Sequence, residues 1–523
     1  MKILLVTGTL AEPSLKNSLS TIKHQIDVLT LPVSVAAFIT PKFAAEYLKK
    51  ETLKDYDMIL LPGTVRGDIT IVEEVTGIPS FKGPLHASEL PLVLESDIQL
   101  SKTLPATELI REAIQRQTVE EISNVENNWR EIINKSGGIV IGRGNHTVAV
   151  SDGLPMRILA EIVNAPLLSS EIIKKKSEYY NDNGASIIDI GMLAGQPMPE
   201  KIPEIIYDIR EVTDLPISID SLDPLEIKSA VDAGVDMVLS LDAGNLVEAS
   251  RFIGDATAVI LPTNMKQGIL PEKAEKRVEF QRKNIDKAKS LGIDKVVGDL
   301  VVEPLLKPGL IEALKAYQMY NEQHPDIPLL FGVGNAVELL DADTPGVHAS
   351  LIALAREVGA QLLHVPEHSD KAQGSVREAV TASQMMFLAQ RRGTLPKDLG
   401  LDLLRLKEKR RKEPIYDSSI ERGVDVIHTK SIGGYQPDKS GWFRVQIDRD
   451  TQQIVVIHYM LGRNDPNKIF KGSKGSSLYR SIIDEGLVSD MVHAAYLGRE
   501  VTKAEIALKL GRSYVQDESL FAS

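Results

Sequence analysis

The sequence predicts an α/β protein: a central (β/α)₈ barrel flanked by an N-terminal open α/β domain and a small C-terminal α+β domain. Eight short apolar runs, separated by helical stretches, follow one another between residues 157 and 365, a rhythm typical of such barrels. The 523 residues exceed the size of one hydrophobic core, which favours several domains. Most of the apolar runs end in polar residues, where barrels of this kind place their chemistry.

The amino-acid composition limits the kinds of ligand and of chemical site that this protein can have. Lys and Arg number 60 against 72 Asp and Glu, giving a net charge of −12, which argues against nucleic acid or an anionic membrane and favours a small-molecule ligand. The chain has no cysteine, which excludes disulfides, a thiol nucleophile and thiolate metal sites. No apolar run approaches the roughly 18 residues of a membrane span, and the amino terminus lacks a leader pattern, so we expect a cytoplasmic protein.

The N-terminal domain is predicted to span residues 1–150. Short apolar runs alternating with helical stretches indicate a small open sheet, and a further strand is predicted at 139–142. The loop 62–68 contains two glycines and Arg66, so it is either an anion site or a plain glycine turn. The predicted strands of the open sheet are residues 2–9, 24–30, 57–61 and 91–94.

The second domain, residues 151–395, contains the barrel pattern. The alternative, an open doubly wound sheet, rarely carries eight such evenly spaced strand and helix units. The predicted barrel strands are residues 157–163, 185–190, 216–220, 235–240, 257–261, 295–299, 328–332 and 360–365.

The third domain is predicted to span residues 396–523. Its charged segment 402–413 indicates a solvated helix or a linker. Residues 441–459 are predicted to form two strands joined by a turn, and 489–510 a final helix. The segment 471–476 has two lysines and two glycines, which fits either a phosphate-binding loop or a flexible basic loop.

Polar residues at the predicted strand ends form the candidate site, because the ends of barrel strands converge on one face. Carboxylates and amides suit a ligand rich in N–H donors, such as a pterin edge, although each acid alone is equally explained as a cap or an inter-strand hydrogen bond. The glycines of 332–334 keep a phosphosugar site open as the rival. No metal-binding motif is found, so we predict no metal site. The candidate ligand-binding residues are Glu161, Asn164, Asp189, Asp220, Ser240, Asp242, Asn264, Asp299 and Asn335.

Three segments, residues 158–164, 184–191 and 216–221, resemble the pterin-binding TIM-barrel family, which includes dihydropteroate synthases and methyltransferases acting on methyl-tetrahydropterins. The resemblance covers roughly residues 155–390. It implies that Asp220 binds the edge of the pterin ring and that Asp299 holds its pyrimidine side.

The resemblance also implies individual roles. Asn164 resembles the asparagine of the family's first strand, and Glu161 the glutamate of its methyltransferase branch. Asn335 resembles the asparagine that lies near the methyl-bearing pterin nitrogen. We therefore predict Asn335 and Asp299 as catalytic residues that stabilise charge at that nitrogen through hydrogen bonds, and the other candidates as pterin-binding residues.

The sequence departs from the family at three places. The usual asparagine of the fourth strand is absent, so Ser240 or Asp242 replaces it. The synthase's Ser-Arg-Lys turn is replaced by residues 332–335, and its Arg-x-His by residues 364–367. These changes remove cations that a pyrophosphate leaving group needs, which favours methyl transfer over dihydropteroate-synthase-like condensation with an arylamine.

The whole architecture is similar to archaeal dihydropteroate synthase-related proteins of organisms that use tetrahydromethanopterin. It implies a reduced pterin, of tetrahydromethanopterin or tetrahydrofolate type, as substrate or cofactor. Residues 478–480 and 493–500 are similar to a module of methanogen-type thymidylate synthase-like and corrinoid methyltransferase proteins. The resemblance therefore implies a corrinoid as a possible cofactor and a corrinoid protein or a methyltransferase as a possible partner. It also implies a homodimer. A non-catalytic pterin or corrinoid carrier is the third candidate function.

Overall fold

The computed structural model describes residues 1–19, 24–53, 55–96, 98–407, 426–427, 429 and 438–521. They form two compact units, residues 1–403 and residues 404–523. The domain boundaries predicted at residues 150 and 395 stay predictions. Of the charged segment 402–413, residues 402–407 are described and form no helix, and the remainder lies outside the described residues. No helix in the described part of the chain has the length and apolarity that crossing a membrane requires.

The described residues of the amino-terminal region form a parallel four-stranded sheet with strand order β2-β1-β3-β4. The first three predicted strands are confirmed. Buried side chains of β1 and β3 contact helices through two apolar clusters, one on each face of the sheet. The elements are β1 (Lys2–Gly8), α1 (Glu12–Ser18), β2 (Gln25–Leu31), α2 (Pro41–Leu48), β3 (Met58–Leu61), α3 (Thr70–Thr76), β4 (Ser80–Lys82), α4 (Leu90–Glu95), α5 (Ala106–Leu109), α6 (Arg111–Asn127) and α7 (Trp129–Ser136).

The fourth predicted strand, residues 91–94, is wrong, because this run lies in helix α4. Pro91 occupies the first helical turn, where its missing N–H leaves no hydrogen bond unmade. The real fourth strand, β4, has only three residues and ends in Lys82, whose buried side chain donates to the carbonyl oxygen of Thr103 at 2.9 Å. A strand this short and this polar gives no apolar run for sequence analysis to find.

The strand predicted at 139–142 exists, but it does not join the open sheet. It is β5 (Ile139–Arg143), which pairs antiparallel with β6 (His146–Val150). Ile141 and Val150 are fully buried and pack against the apolar interior of the barrel. This hairpin leads directly into the first barrel strand, so it closes the amino-terminal end of the barrel.

The barrel is confirmed. Within residues 157–366, all of which are described, eight parallel strands have the order β12-β11-β10-β9-β8-β7-β14-β13, and a parallel bridge between Gly298 and Leu329 joins the two outermost. The elements are β7 (Arg157–Ile162), α8 (Ser170–Asp182), β8 (Ile187–Gly191), α9 (Ile202–Val212), β9 (Ile217–Asp220), α10 (Pro224–Asp232), β10 (Met237–Leu241), α11 (Leu246–Ala249), β11 (Thr257–Ile260), α12 (Ala274–Ser290), β12 (Val296–Gly298), α13 (Ile311–Gln323), β13 (Leu330–Gly332), α14 (Gly334–Val337), α15 (Thr344–Glu357), β14 (Leu362–Pro366) and α16 (Ser375–Arg392).

Side chains of the barrel strands alternate between two apolar cores. One set points outward to the helices, for example Ile188 and Ile190 of β8. The other set fills the interior above the hairpin. Because successive side chains on a strand point to opposite faces, every second residue along each strand enters the barrel. The interior apolar residues of the strands are Leu159, Ile187, Met237, Leu239, Val259, Val297, Leu330 and Leu362.

The carboxyl-terminal unit is an antiparallel sheet with order β15-β16-β17 in its described part, packed against two helices. The two predicted strands and the final helix are confirmed. The segment 471–476 was expected to be a phosphate-binding loop or a flexible basic loop. Most of it is not a loop, because it contains the end of β17 and the first turn of α17. Lysines are common in edge strands such as β17, and they obscured the strand pattern. The elements are β15 (Trp442–Asp448), β16 (Gln453–Tyr459), β17 (Lys468–Gly472), α17 (Gly475–Asp484) and α18 (Met491–Leu510).

Closure of the barrel by the hairpin predicts a large effect of Ile141→Ala. Truncating this fully buried side chain leaves a cavity beneath the barrel, and we expect the free energy of unfolding to fall by about 2–4 kcal/mol. Denaturant unfolding followed by circular dichroism measures it. Val119→Ala on α6 is the control, since Val119 is 54% exposed. Equal effects of the two substitutions would contradict this role of the hairpin.

Candidate active site

Carboxylates enter the barrel above its apolar interior. Glu161, Asp189 and Asp299 each follow an interior apolar residue by two positions, so they share its inward direction. Asp220 also points inward, because its neighbours on β9, Ile217 and Ile219, belong to the outer core. The alternation of the strands therefore brings four of the predicted residues into one interior.

An imidazole lies among these acids. His364 follows the interior residue Leu362 by two positions, and its Nε2 lies 3.1 Å from Oδ2 of Asp189 and 3.7 Å from Oε2 of Glu161. Asp189 is fully buried and also accepts a hydrogen bond of 2.6 Å from Oγ of Ser218. His364 was not predicted as a site residue. The spacing from Leu362 to His364 is the signal that would have found it.

The imidazole and the acids of this cluster shift one another's pKa values. Burial lowers the pKa of His364, but the hydrogen bond to Asp189 and the negative charges of Glu161, Asp189 and Asp220 raise it to about 10. Burial raises the pKa of Glu161 to about 7, aided by Asp189 and Asp220 and opposed by His364. Burial, and next the charge of Asp189, also raise the pKa of Asp220. At neutral pH the imidazole of His364 is therefore charged, and the carboxyl group of Glu161 is partly protonated.

A backbone irregularity turns Ser240 toward Asp220. Val238 faces the outer core, so regular alternation would also turn Ser240 outward. The pairing of β10 with β11 shifts register between Val238 and Leu241, and Ser240 has a φ of +68°. Its Oγ then donates to Oδ1 of Asp220 at 2.5 Å. Within the described chain no hydrogen bond to Oδ2 of Asp220 is found, which leaves that oxygen for a ligand.

Asp299 is held by the structure around it. Its Oδ1 accepts hydrogen bonds from the backbone N–H of Val301 at 2.7 Å and from the hydroxyl of Tyr317 at 2.6 Å. Burial raises the pKa of Asp299. No partner for its Oδ2 is found among the residues that the structure describes. Asp299 therefore has a fixed orientation and one oxygen available.

The loop after β12 is fastened close to Asp299. The exposed Asn335 donates from Nδ2 to the carbonyl oxygen of Val302 at 2.8 Å. The buried guanidinium of Arg277 donates to the carbonyl oxygens of Leu300 and Val301. Val301 has a φ of +65°, a strained value for a β-branched residue. These contacts fix the start of the loop, and with it the positions of both predicted catalytic residues.

Three other predicted residues lie in the loops around the barrel mouth, where Asp242 and Asn264 hydrogen-bond to the loops themselves. The buried Asp242 accepts hydrogen bonds from the backbone N–H groups of Gly244 and Met265 and from the hydroxyl of Thr263. Asn264 accepts from a backbone N–H three residues later, and Asn164 begins a turn with a φ of +52°. The structure does not bring these three residues into the inner cluster, and their part in ligand binding stays a prediction.

The inner cluster has the spacing of a cation site. Glu161, Asp189 and His364 each place one oxygen or nitrogen atom within 4.8 Å of the other two. In the structure, Nε2 of His364 and Oδ2 of Asp189 form a hydrogen bond of 3.1 Å with each other. The absence of a metal site remains a prediction.

The raised pKa of Glu161 predicts a pH-dependent gain in stability for Glu161→Gln. The folded pKa of about 7 lies above the ordinary 4.5, so folded wild type binds more protons than the unfolded chain and loses stability as pH rises through that window. Glutamine does not ionise. We expect the variant to gain about 2 kcal/mol relative to wild type between about pH 5.5 and about pH 8.

Urea unfolding at the two pH values measures this difference. Glu357→Gln is the control, because Glu357 is exposed at the end of α15. A difference between Glu161→Gln and wild type that did not change with pH would show that Glu161 ionises at its ordinary pKa.

Three family models match segments of the chain. Residues 168–365, which include most of the barrel, match the family described as "Pterin binding enzyme". Residues 437–517 match PterinBD-DUF4346, and residues 1–85 match a family of unknown function, DUF6513.

One similar protein extends over the whole chain. It is described as an uncharacterized protein of Methanocaldococcus jannaschii and is 39% identical over 534 residues, covering 100% of this chain and 99% of its own. Similar solved structures include dihydropteroate synthase of Stenotrophomonas maltophilia, 20% identical with a TM-score of 0.37 over 45% of this chain and 93% of its own. Another is the Xanthomonas albilineans synthase in complex with 7,8-dihydropteroate, 19% identical with a TM-score of 0.38 over 48% and 98%.

Proposed function

Because this chain belongs to the family of pterin-binding enzymes, we propose that its barrel binds a reduced pterin and transfers a methyl group from it. The observation that most supports this proposal is the pair of inward acids Asp220 and Asp299. In each, one carboxylate oxygen accepts a hydrogen bond from the protein and the other is available to a ligand. The pterin would be of tetrahydromethanopterin or tetrahydrofolate type, and a corrinoid is the proposed acceptor.

The available oxygens match the donors of a pterin. A pterin presents ring N–H groups and an exocyclic amine, which carboxylates bind as acceptors. Ser240 and Tyr317 fix Asp220 and Asp299 before the ligand arrives, so less conformational freedom is lost on binding. These acids would therefore recognise the ring and hold it in one orientation.

Methyl transfer needs help at the nitrogen that loses the methyl group. The N–CH₃ bond breaks, its electron pair stays on nitrogen, and the methyl group bonds to the nucleophilic acceptor. A hydrogen-bond donor or proton at that nitrogen stabilises the developing charge. One N–H of the Asn335 amide donates to Val302, and we propose the other as the donor at that nitrogen, with Asp299 holding the ring in place. No nucleophile from the protein is required.

Condensation of a hydroxymethylpterin pyrophosphate with an arylamine is less well supported. That reaction needs cations for the leaving pyrophosphate. Two cations at this end of the barrel are already occupied: Lys371 donates to the carbonyl oxygens of Val337 and Leu340, and His364 is held by carboxylates. Release of pyrophosphate when the protein is incubated with both substrates would favour condensation instead.

Ligand recognition by Asp220 predicts weaker binding in Asp220→Asn. The amide replaces a charged acceptor with a neutral group, and we expect the Kd for a methyl-tetrahydropterin to rise at least roughly tenfold. Isothermal calorimetry measures it. Asp294→Asn is the matched control, because Asp294 is exposed and precedes β12 at the opposite end of the barrel. Unchanged binding by Asp220→Asn would overturn this role.

Charge stabilisation by Asn335 predicts a slower reaction in Asn335→Asp, which keeps the size of the side chain and removes its donors. We expect single-turnover methyl transfer to cob(I)alamin to slow by roughly 10²-fold, with a smaller change in pterin affinity. Loss of the methyl group from the pterin, followed by chromatography, gives the rate. A variant that transfers as fast as wild type would remove Asn335 from the mechanism.

A further inference from the structure

His364 has an unused hydrogen-bonding atom inside the barrel. Its Nε2 is taken up by Asp189, while no hydrogen bond to Nδ1 is found in the part of the chain that the structure describes. The side chain is 17% exposed, and the alternation of β14 directs it into the interior. Nδ1 is therefore available to a ligand that enters the barrel.

The charge on His364 decides what Nδ1 can bind. In a neutral imidazole that donates from Nε2 to Asp189, Nδ1 is an acceptor. Only the imidazolium donates from both nitrogens. The titratable groups that face it, Glu161, Asp189 and Asp220, are all acids and favour the charged form. Nδ1 is therefore a donor at neutral pH.

The other inward donors, the hydroxyls of Ser218 and Ser240, already donate to Asp189 and Asp220, so the groups left for a ligand are mainly acceptors. Carboxylates at Glu161, Asp220 and Asp299 suit the N–H groups of a pterin but repel its lactam oxygen, the ring's strongest acceptor. The amide of Asn335 donates one N–H to a backbone carbonyl, and its other N–H is assigned to the methyl-bearing nitrogen. A lactam ring bound among these acids needs a donor for its oxygen, and His364 supplies one.

We propose that His364 binds the lactam carbonyl of the ligand through Nδ1, so that the site selects a lactam ring over its amino-substituted counterpart. This inference rests on the proposed function. Asp189 acts as a positioning residue: it holds Nε2 and keeps the imidazole charged, while Ser218 holds Asp189 in turn. A ring with an amine in place of the carbonyl would set N–H groups against the imidazolium.

The test compares tetrahydropterin with 2,4-diamino-tetrahydropteridine, in which an amine replaces the lactam oxygen. We expect wild type to bind the lactam at least roughly tenfold more tightly by calorimetry, and His364→Phe, which keeps a ring and removes the N–H groups, to lose most of that preference. His368→Phe is the control, because His368 is exposed on the loop after β14. General damage to the barrel would weaken both compounds equally and leave their ratio unchanged.

A second variant keeps the imidazole in place. Asp189→Asn removes the charge that raises the pKa of His364, so the lactam preference should persist at pH 6 and fall at pH 9, whereas wild type keeps it at both values. If His364→Phe, or Asp189→Asn at pH 9, kept the full preference, the inference would be overturned. Equal binding of both rings by wild type would overturn this inference alone, and binding of neither would overturn the proposed function as well.

Discussion

The structure depends on the alternation of side chains along eight strands that close into a barrel. Closure leaves no edge, so every second residue of each strand must enter one shared interior. At the amino-terminal end this interior is apolar and is closed by the hairpin that contains Ile141. Two residues further along the strands the side chains are Glu161, Asp189, Asp299 and His364. The same constraint that builds the core thus gathers the polar site directly above it.

The arrangement of charge in that site follows from burial. Burial raises the pKa values of Glu161 and Asp220, and the negative charges of the neighbouring acids raise them further. The imidazolium of His364 offsets part of the repulsion among the acids, and protonation of the carboxyl groups offsets more. A ligand that brought N–H donors would relieve the remainder. The site is therefore suited to a donor-rich ring, and relief of the cost of burying these acids contributes to binding.

Sequence patterns predicted the barrel and its strand-end acids because an apolar run and the polar residue that ends it are local information. Asp220 ends such a run, so its place at a strand end could be inferred without a structure. Ser240 could not be placed this way, since its direction depends on a register shift and a positive φ within β10. The hairpin strand at 139–142 was predicted, but its partner was not, because pairing is set by distant residues. His364 was not predicted, because it lies inside the last strand and not after its end.

The most direct test of the account is a crystal structure with a methyl-tetrahydropterin added. We expect the ring inside the barrel, with its N–H groups within about 3.2 Å of the available oxygens of Asp220 and Asp299 and its carbonyl oxygen equally close to Nδ1 of His364. A pterin bound elsewhere on the protein, with the inner acids and His364 still facing only one another, would contradict it.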